Sequence, residues 1–248
     1  MRRFSLNVFA LLLLPMALWA QNPAAILAKA EAATVQQAAY SRIKIKAERP
    51  RYTREMELRS WSSGNAYSLV EVVAPERDAG MVYMKAGKSL KTYSPRTGKI
   101  MTLPSSMLMQ GWMGTDAQFD NILGAASLTQ DFTHTYLGKA TVNGQACHHI
   151  RCVPKPSTPV AYDHVDAYVS VQNESWVRLV FFDKKNDITQ QMDALHFARF
   201  DGVLMPDQIK FTAKGGGQTT LLTLQEWKKR SDLKAAYFTE SRMKNLEP

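Results

Sequence analysis

The residues with the means to do chemistry are few and scattered. His164 and Asp166 stand two apart in DHVD. On an extended strand that spacing puts both on one face, which could begin a metal or acid–base site. Two groups alone make neither a nucleophile–base set nor a metal shell, so the pair gives a periplasmic hydrolase only a weak footing and reads more simply as ordinary strand residues. In CHHIRC, the residues Cys147, His148, His149 and Cys152 match no zinc spacing. Five residues along one strand place the two cysteines on opposite faces, roughly 16 Å apart at about 3.3 Å per residue. That is too far for a disulfide unless a bulge or turn intervenes. Glu55 and Glu57 alternate with apolar neighbours as an exposed strand face, and Lys85, Lys88 and Lys91 surround a hairpin as a solvated one. There is no Gly-x-Ser-x-Gly elbow, Walker loop, His-Glu-x-x-His or Cys-x-x-Cys. The chain therefore reads as a binding protein and not an enzyme, with no metal and no cofactor.

What the sequence does concentrate is adaptable apolar surface. Six of the ten methionines beyond residue 20 lie between Met81 and Met113. Methionine fills irregular apolar shapes and is favoured at permissive binding surfaces. Within SSMLMQGWMG the residues Met107, Leu108, Met109, Trp112 and Met113 fall close together with glycines on either side of the tryptophan. Glycines around a large side chain suit a hinge better than a rigid core. This loop, Pro104 to Gly114, is expected to be a lid or plug over an apolar cavity. The hairpins before it contribute Met81, Tyr83, Leu90, Tyr93, Met101 and Leu103 to the same candidate cavity lining.

The elements that must hold such a loop are strands. Asn22-Pro23 followed by AAILAKAEAATVQQAA starts a helix, with Asn22 as cap and Ile26, Leu27, Ala30 and Ala33 or Thr34 near one face. From Tyr40 the period changes to two, and turn residues recur at intervals of about ten, the pattern of an antiparallel meander. Asn143-Gly144 is a strong hairpin signal. Trp176 to Phe182 is apolar on both faces apart from Arg178 and should be covered on both sides. Asp116 to Leu123 can form a short helix, and the segment after Trp227 reads as a loosely docked tail held by Phe238. The expected fold is α+β: one curved antiparallel sheet, an incomplete β-barrel of about ten or eleven strands, with helices covering its concave face.

The N-terminus follows the layout of a secretory signal peptide: Arg2-Arg3, an apolar run through Leu11–Leu14, and small residues to Ala20. The apolar part is broken by Pro15 and is short of the roughly 20 residues needed to span a bilayer. The expectation is a signal peptide over residues 1–20 and one exported domain over 21–248, soluble in the periplasm. The formal net charge is +9, of which Arg2 and Arg3 carry two. The remaining basic residues are dispersed, which favours solubility or weak attraction to anionic membrane surfaces over nucleic-acid binding.

Taken together, APERDAG, LKTYSPRTGKIMTLP and GWMGTDAQFDNI resemble the LolA-like outer-membrane lipoprotein-sorting proteins of bacteria. Weaker agreement runs on through HVDAYVSVQNESWVRLVFFD and FDGVLMPDQIKF, so the likeness covers most of Tyr40 to Trp227 and points to a divergent branch. It implies an apolar cavity for lipoprotein acyl chains or another lipid, filled from an inner-membrane transporter and emptied to an outer-membrane acceptor. Arg42 and Arg54 are the two candidates for those carriers' functional arginine, and neither matches its motif. The resemblance leaves a second reading open, an envelope sensor or adaptor of the same fold that binds lipidated or misfolded proteins and works with a membrane partner.

Overall fold

Alternation of apolar and polar residues lets a strand bury one face and leave the other to water. Here that alternation builds one antiparallel sheet of thirteen strands. The computed structural model describes residues 21–32, 37–124, 126–158, 160 and 162–246. The expected signal peptide, and Ala33 and Thr34 of the first helix, lie outside the described residues.

The strands are β1 (Ala39–Arg49), β2 (Tyr52–Ser63), β3 (Tyr67–Ala74), β4 (Val82–Ala86), β5 (Ser89–Ser94), β6 (Lys99–Leu103), β7 (Phe132–Val142), β8 (Gln145–Pro154), β9 (His164–Ser170), β10 (Trp176–Phe182), β11 (Ile188–Phe200), β12 (Val203–Ala213) and β13 (Thr219–Lys229). Their spatial order is β6-β5-β4-β3-β2-β1-β13-β12-β11-β10-β9-β8-β7. The chain walks out from the centre to β6, crosses to the far edge at β7, and walks back until β13 pairs with β1. The edges β6 and β7 do not pair, so the sheet curves without closing into a barrel. Thirteen strands are formed where about ten or eleven were expected. The Asn143-Gly144 signal makes the β7–β8 hairpin, both residues having positive φ (49° and 77°), as the matching turn type requires.

Two-residue periodicity sorts the side chains onto two faces. Ile45, Met56, Leu58, Val72, Ile150, Val165, Ala167 and Leu179 join the large core on one face. Helix α1 (Pro23–Ala32), the turns at Ser105–Met109 and Trp112–Gly114, and α2 (Phe119–Leu123) cover that face. Asn22 caps α1 by accepting from the Ala25 amide at 3.2 Å. Glu31 then fixes the helix to the chain before β7, accepting from Ser127 Oγ at 2.7 Å and from the Leu128 amide. The opposite face carries smaller clusters. Cys147 and Val177 share one of them, while Cys152 belongs to the large core. The two cysteines are free and face opposite ways, as their odd spacing requires.

The C-terminal segment is docked more firmly than a loose tail. Leu233, Phe238 and Met243 are all buried against Trp61, Leu69, Val82 and Met84 on the face away from the helices. Phe238 stacks on Tyr67 at 5.4 Å, and Thr239 caps α3 (Glu240–Lys244) by accepting from the Arg242 amide at 3.2 Å. Because β3 and β4 offer apolar side chains on both faces, this outer face needs its own cover. Removal of the Phe238 ring should cost about 3–5 kcal/mol. Chemical denaturation of Phe238→Ala checks this; a change well below about 1 kcal/mol would mark the tail as peripheral.

Candidate functional site

The crossover between β6 and β7, residues 104–131, has no neighbouring strand to pair with and must traverse the sheet's covered face. It does so as two single 3-10 turns and the short α2. Trp112 is wholly buried at its centre. Its ring meets Tyr83 edge-on at 5.9 Å, and Phe119 meets the same tyrosine at 5.5 Å. The indole N–H has no hydrogen-bond partner among the described residues. The backbone beside it is strained: Met113 has φ 47° and Gly114 φ 79°, and a left-handed methionine costs of order 1–3 kcal/mol. At Gly111 a Cβ would lie 2.8 Å from the Thr115 carbonyl oxygen, so that position must stay glycine.

Polar bonds fasten this apolar insert on the C-terminal side of Trp112. Asp116 accepts from Arg49 at 3.0 Å, and the two side chains are only 6% and 8% exposed. Arg49 also donates to the Gly114 carbonyl at 2.9 Å. The Thr220 hydroxyl donates to the Asp116 carboxylate at 2.8 Å and accepts from its amide at 2.9 Å. Gln190 donates to the Asp116 carbonyl at 2.7 Å and to Asn121 Oδ1 at 3.0 Å. Further along, Lys85 donates to the carbonyls of Gly124 at 2.8 Å and Asn65 at 2.6 Å. Gln118 and Asn121 form a capping box that starts α2.

Most of the residues singled out in the sequence come together here. Tyr83, Leu90, Leu108 and Trp112 are buried in the large core, and Met81, Leu103, Met107, Met109 and Met113 pack against it half-buried. Two do not join them. Tyr93 points to the other face and packs near the C-terminal segment, because it is odd in phase with Leu90. Met101 is 52% exposed, since it lies on the edge strand β6 beyond the reach of the cover. Sequence reasoning missed Arg49, Asp116, Gln190 and Thr220. A lone aspartate in an apolar loop was the available signal, and its partners come from three distant strands. Neither candidate arginine holds the loop as Arg49 does: Arg42 lies on the outer face, and Arg54 pairs with Asp78 at 2.8 Å.

The residues with chemical potential serve the sheet. His164 and Asp166 share the outer face but take different partners. His164 Nδ1 lies 3.0 Å from Asp163 and its ring stacks on Phe182. Asp166 receives Arg151 through two bonds of 2.8 and 2.9 Å, with His149 at 3.2 Å. Burial would raise the Asp166 pKa, but the hydrogen bonds from Arg151 and His149 outweigh it and hold the carboxyl below its ordinary range. Burial pushes the Cys152 thiol up to about 12, which leaves it inert as a nucleophile.

A family model described as "Uncharacterized protein" matches residues 64–245. No curated protein matches the chain. Among solved structures, a DUF1329 family protein from Desulfovibrio piger is similar at 17% identity and TM-score 0.79, covering 89% of this chain and 97% of its own. A LolA superfamily protein from Nitrosomonas europaea is similar at 19% identity and TM-score 0.76, over 88% of this chain and 97% of its own. A domain described as an outer-membrane lipoprotein-sorting protein from Vibrio parahaemolyticus follows at 14% identity and TM-score 0.76, over 90% and 98%. At these identities the likeness establishes the fold: an open, curved LolA-like sheet.

Two measurements probe the fastenings. Asp116→Ala leaves Arg49 buried without its carboxylate and should destabilise the protein by about 3–5 kcal/mol, with amide exchange accelerated first at residues 110–121. Asp166 has a depressed folded-state pKa, so its contribution is present above the unfolded value of about 3.8 and is lost as pH falls through the folded one. The stability gap between wild type and Asp166→Asn, from denaturation at stepped pH, should therefore shrink below about pH 4.

Proposed function

We propose, for a chain that belongs to the "Uncharacterized protein" family matched over residues 64–245 and has the LolA-like fold, that it is a periplasmic carrier of lipoprotein or lipid acyl chains. The observation that carries this reading is the apolar crossover. Residues 105–123 fill the space against the sheet with Trp112, Leu108 and Phe119, yet the side-chain bonds that tie them to the sheet fall on Gly114, Asp116 and Asn121, all on the C-terminal side of Trp112. A filler of that kind can be exchanged for another apolar body without breaking the sheet.

Tyr83, Leu90 and Leu103 form the wall that an acyl chain would touch, and Met107, Leu108, Met109, Trp112 and Met113 form the lid that it would displace. Each buried methylene contributes about 0.8 kcal/mol, so about ten of them contribute about 8 kcal/mol. That is enough to offset unseating one tryptophan at about 3–5 kcal/mol. The strained Met113–Gly114 turn and the unpartnered indole N–H lower the cost of leaving the closed arrangement. Methionines suit the task because they repack around unlike shapes.

Delivery completes the reading. The N-terminal pattern supports export of a single domain, residues 21–248, to the periplasm, with an inner-membrane transporter as donor and an outer-membrane protein as acceptor. Among the described residues no helix is long and apolar enough to cross a membrane. Solved structures of similar fold that are described as lipoprotein-sorting support the same role.

Trp112→Ala separates a displaceable filler from a permanent core residue. Removing the filler raises the open fraction, and apparent affinity rises with it. Titration with a fluorescent acyl probe should show the variant binding at least about tenfold more tightly than wild type, with a lowered Tm. Absence of probe binding to both proteins, each verified as folded by circular dichroism, would contradict the carrier reading.

A further inference from the structure

Buried hydrogen-bonding groups in a folded protein are almost always paired. Around Tyr83 several are not. The indole N–H of Trp112, the hydroxyl of Thr92 and the Nε–H of Arg54 are sealed from water with no hydrogen-bond partner among the described residues. Trp112 is wholly buried with its ring against Tyr83, and Thr92 is only 4% exposed. Thr92 lies directly opposite Tyr83 in the β4–β5 pair, so the two side chains share a face with Cβ atoms about 5 Å apart. Two residues along β5 from Leu90, Thr92 also shares the face of that core leucine. Arg54 reaches the same region from β2: its Nη1 lies 3.7 Å from the position a Cβ would take on Gly114.

The chemistry of these groups narrows what can meet them. Indole and guanidinium nitrogens only donate, and a threonine hydroxyl has one proton to give. A bare hydrocarbon that replaces the lid leaves Thr92 as unpaired as before, which is costly in a dry interior. The group that is wanting is an acceptor. It is a neutral acceptor, because the charge of Arg54 is already matched by Asp78 at 2.8 Å, and a second carboxylate beside Asp78 would be repelled. Both charges are felt at Tyr83, whose pKa is raised by burial and by Asp78 and lowered by Arg54. An acyl carbonyl in a neutral linkage is such an acceptor, and it comes attached to an apolar chain.

Resting on the carrier reading above, we propose that Thr92 and Trp112 recognise the carbonyl of the carried chain, so that the cargo is a neutrally linked acyl group and not a free fatty acid or an alkyl ether. The carbonyl oxygen accepts from the Thr92 hydroxyl on the fixed wall, and from the indole N–H once the displaced lid settles over the loaded chain. The hydrocarbon tail lies against Tyr83 and Leu90.

Displacement of a fluorescent acyl probe by 1-monopalmitoylglycerol, by its ether counterpart 1-O-hexadecylglycerol and by palmitate tests this. The ester should bind at least about fivefold more tightly than the ether or the free acid, the scale of one hydrogen bond. Thr92→Val, which keeps the shape and removes the hydroxyl, should bring the ester-to-ether ratio close to one, and Thr92→Ser should keep the preference. Trp112→Phe should lower the ratio as well. Without ligand, Thr92→Val should melt at or above the wild-type Tm, because the hydroxyl it loses has no partner; a clear fall in Tm would show that the hydroxyl is already bonded and would overturn the inference. Equal binding of ester and ether to wild type, or a ratio unchanged in both Thr92→Val and Trp112→Phe, would overturn it too, while binding of either glycerol lipid left the carrier reading standing. Failure of all three ligands to bind the folded protein would overturn both.

Discussion

The carboxylate of Asp116 has almost no access to water, and the bonds that hold residues 110–121 against the sheet converge on it. Arg49 at the end of β1 and Thr220 at the start of β13 donate to that carboxylate, and Gln190 from β11 donates to the backbone carbonyl of the same residue. A buried charge without partners is costly enough to forbid alternatives. The three strands therefore define one seat for residues 114–121 of the crossover. With that seat fixed, the backbone turns tightly at Gly111 and Gly114, and Trp112 is driven into the core beside Tyr83.

The sheet's topology creates the need for such a seat. All twelve strand-to-strand steps could join neighbours in the sheet only if the chain walked from one edge to the other, but it starts in the centre and its two edges stay apart. One connection must then cross the covered face. Because that connection carries α2 and little other regular structure, it relies on side-chain bonds at Gly114, Asp116 and Asn121 and on apolar filling around Trp112. On the proposed reading the apolar part is the exchangeable one, because apolar contacts are non-directional.

Much of this was legible in the sequence, for identifiable reasons. Strand alternation is local, so the faces of Ile45, Met56, Leu58 and Val165 followed from period two, and Asn143-Gly144 located a hairpin through its own backbone preference. The Met- and Trp-rich run announced adaptable apolar filling, and nine of the residues marked with it meet at the core. Tyr93 and Met101 strayed because phase and edge position depend on pairing, which sequence shows poorly. The Arg49–Asp116–Thr220 group was invisible for a stronger reason: Arg49 and Asp116 are 67 positions apart along the chain, and Asp116 and Thr220 a further 104. The firm docking of Phe238 was missed because the outer face of β3 and β4 is apolar as well as the inner one.

On the proposed reading, the space now filled by Trp112 and its neighbours is lent to an acyl chain. Native mass spectrometry of the full chain, recovered from cell envelopes without detergent, tests it most directly. A population carrying one acylated molecule per protein, released on denaturation, is the expected result, with residues 105–114 more exposed to hydrogen exchange in that population. A protein recovered free of any acylated mass, with the crossover equally protected whether or not acyl ligand is supplied, would contradict it.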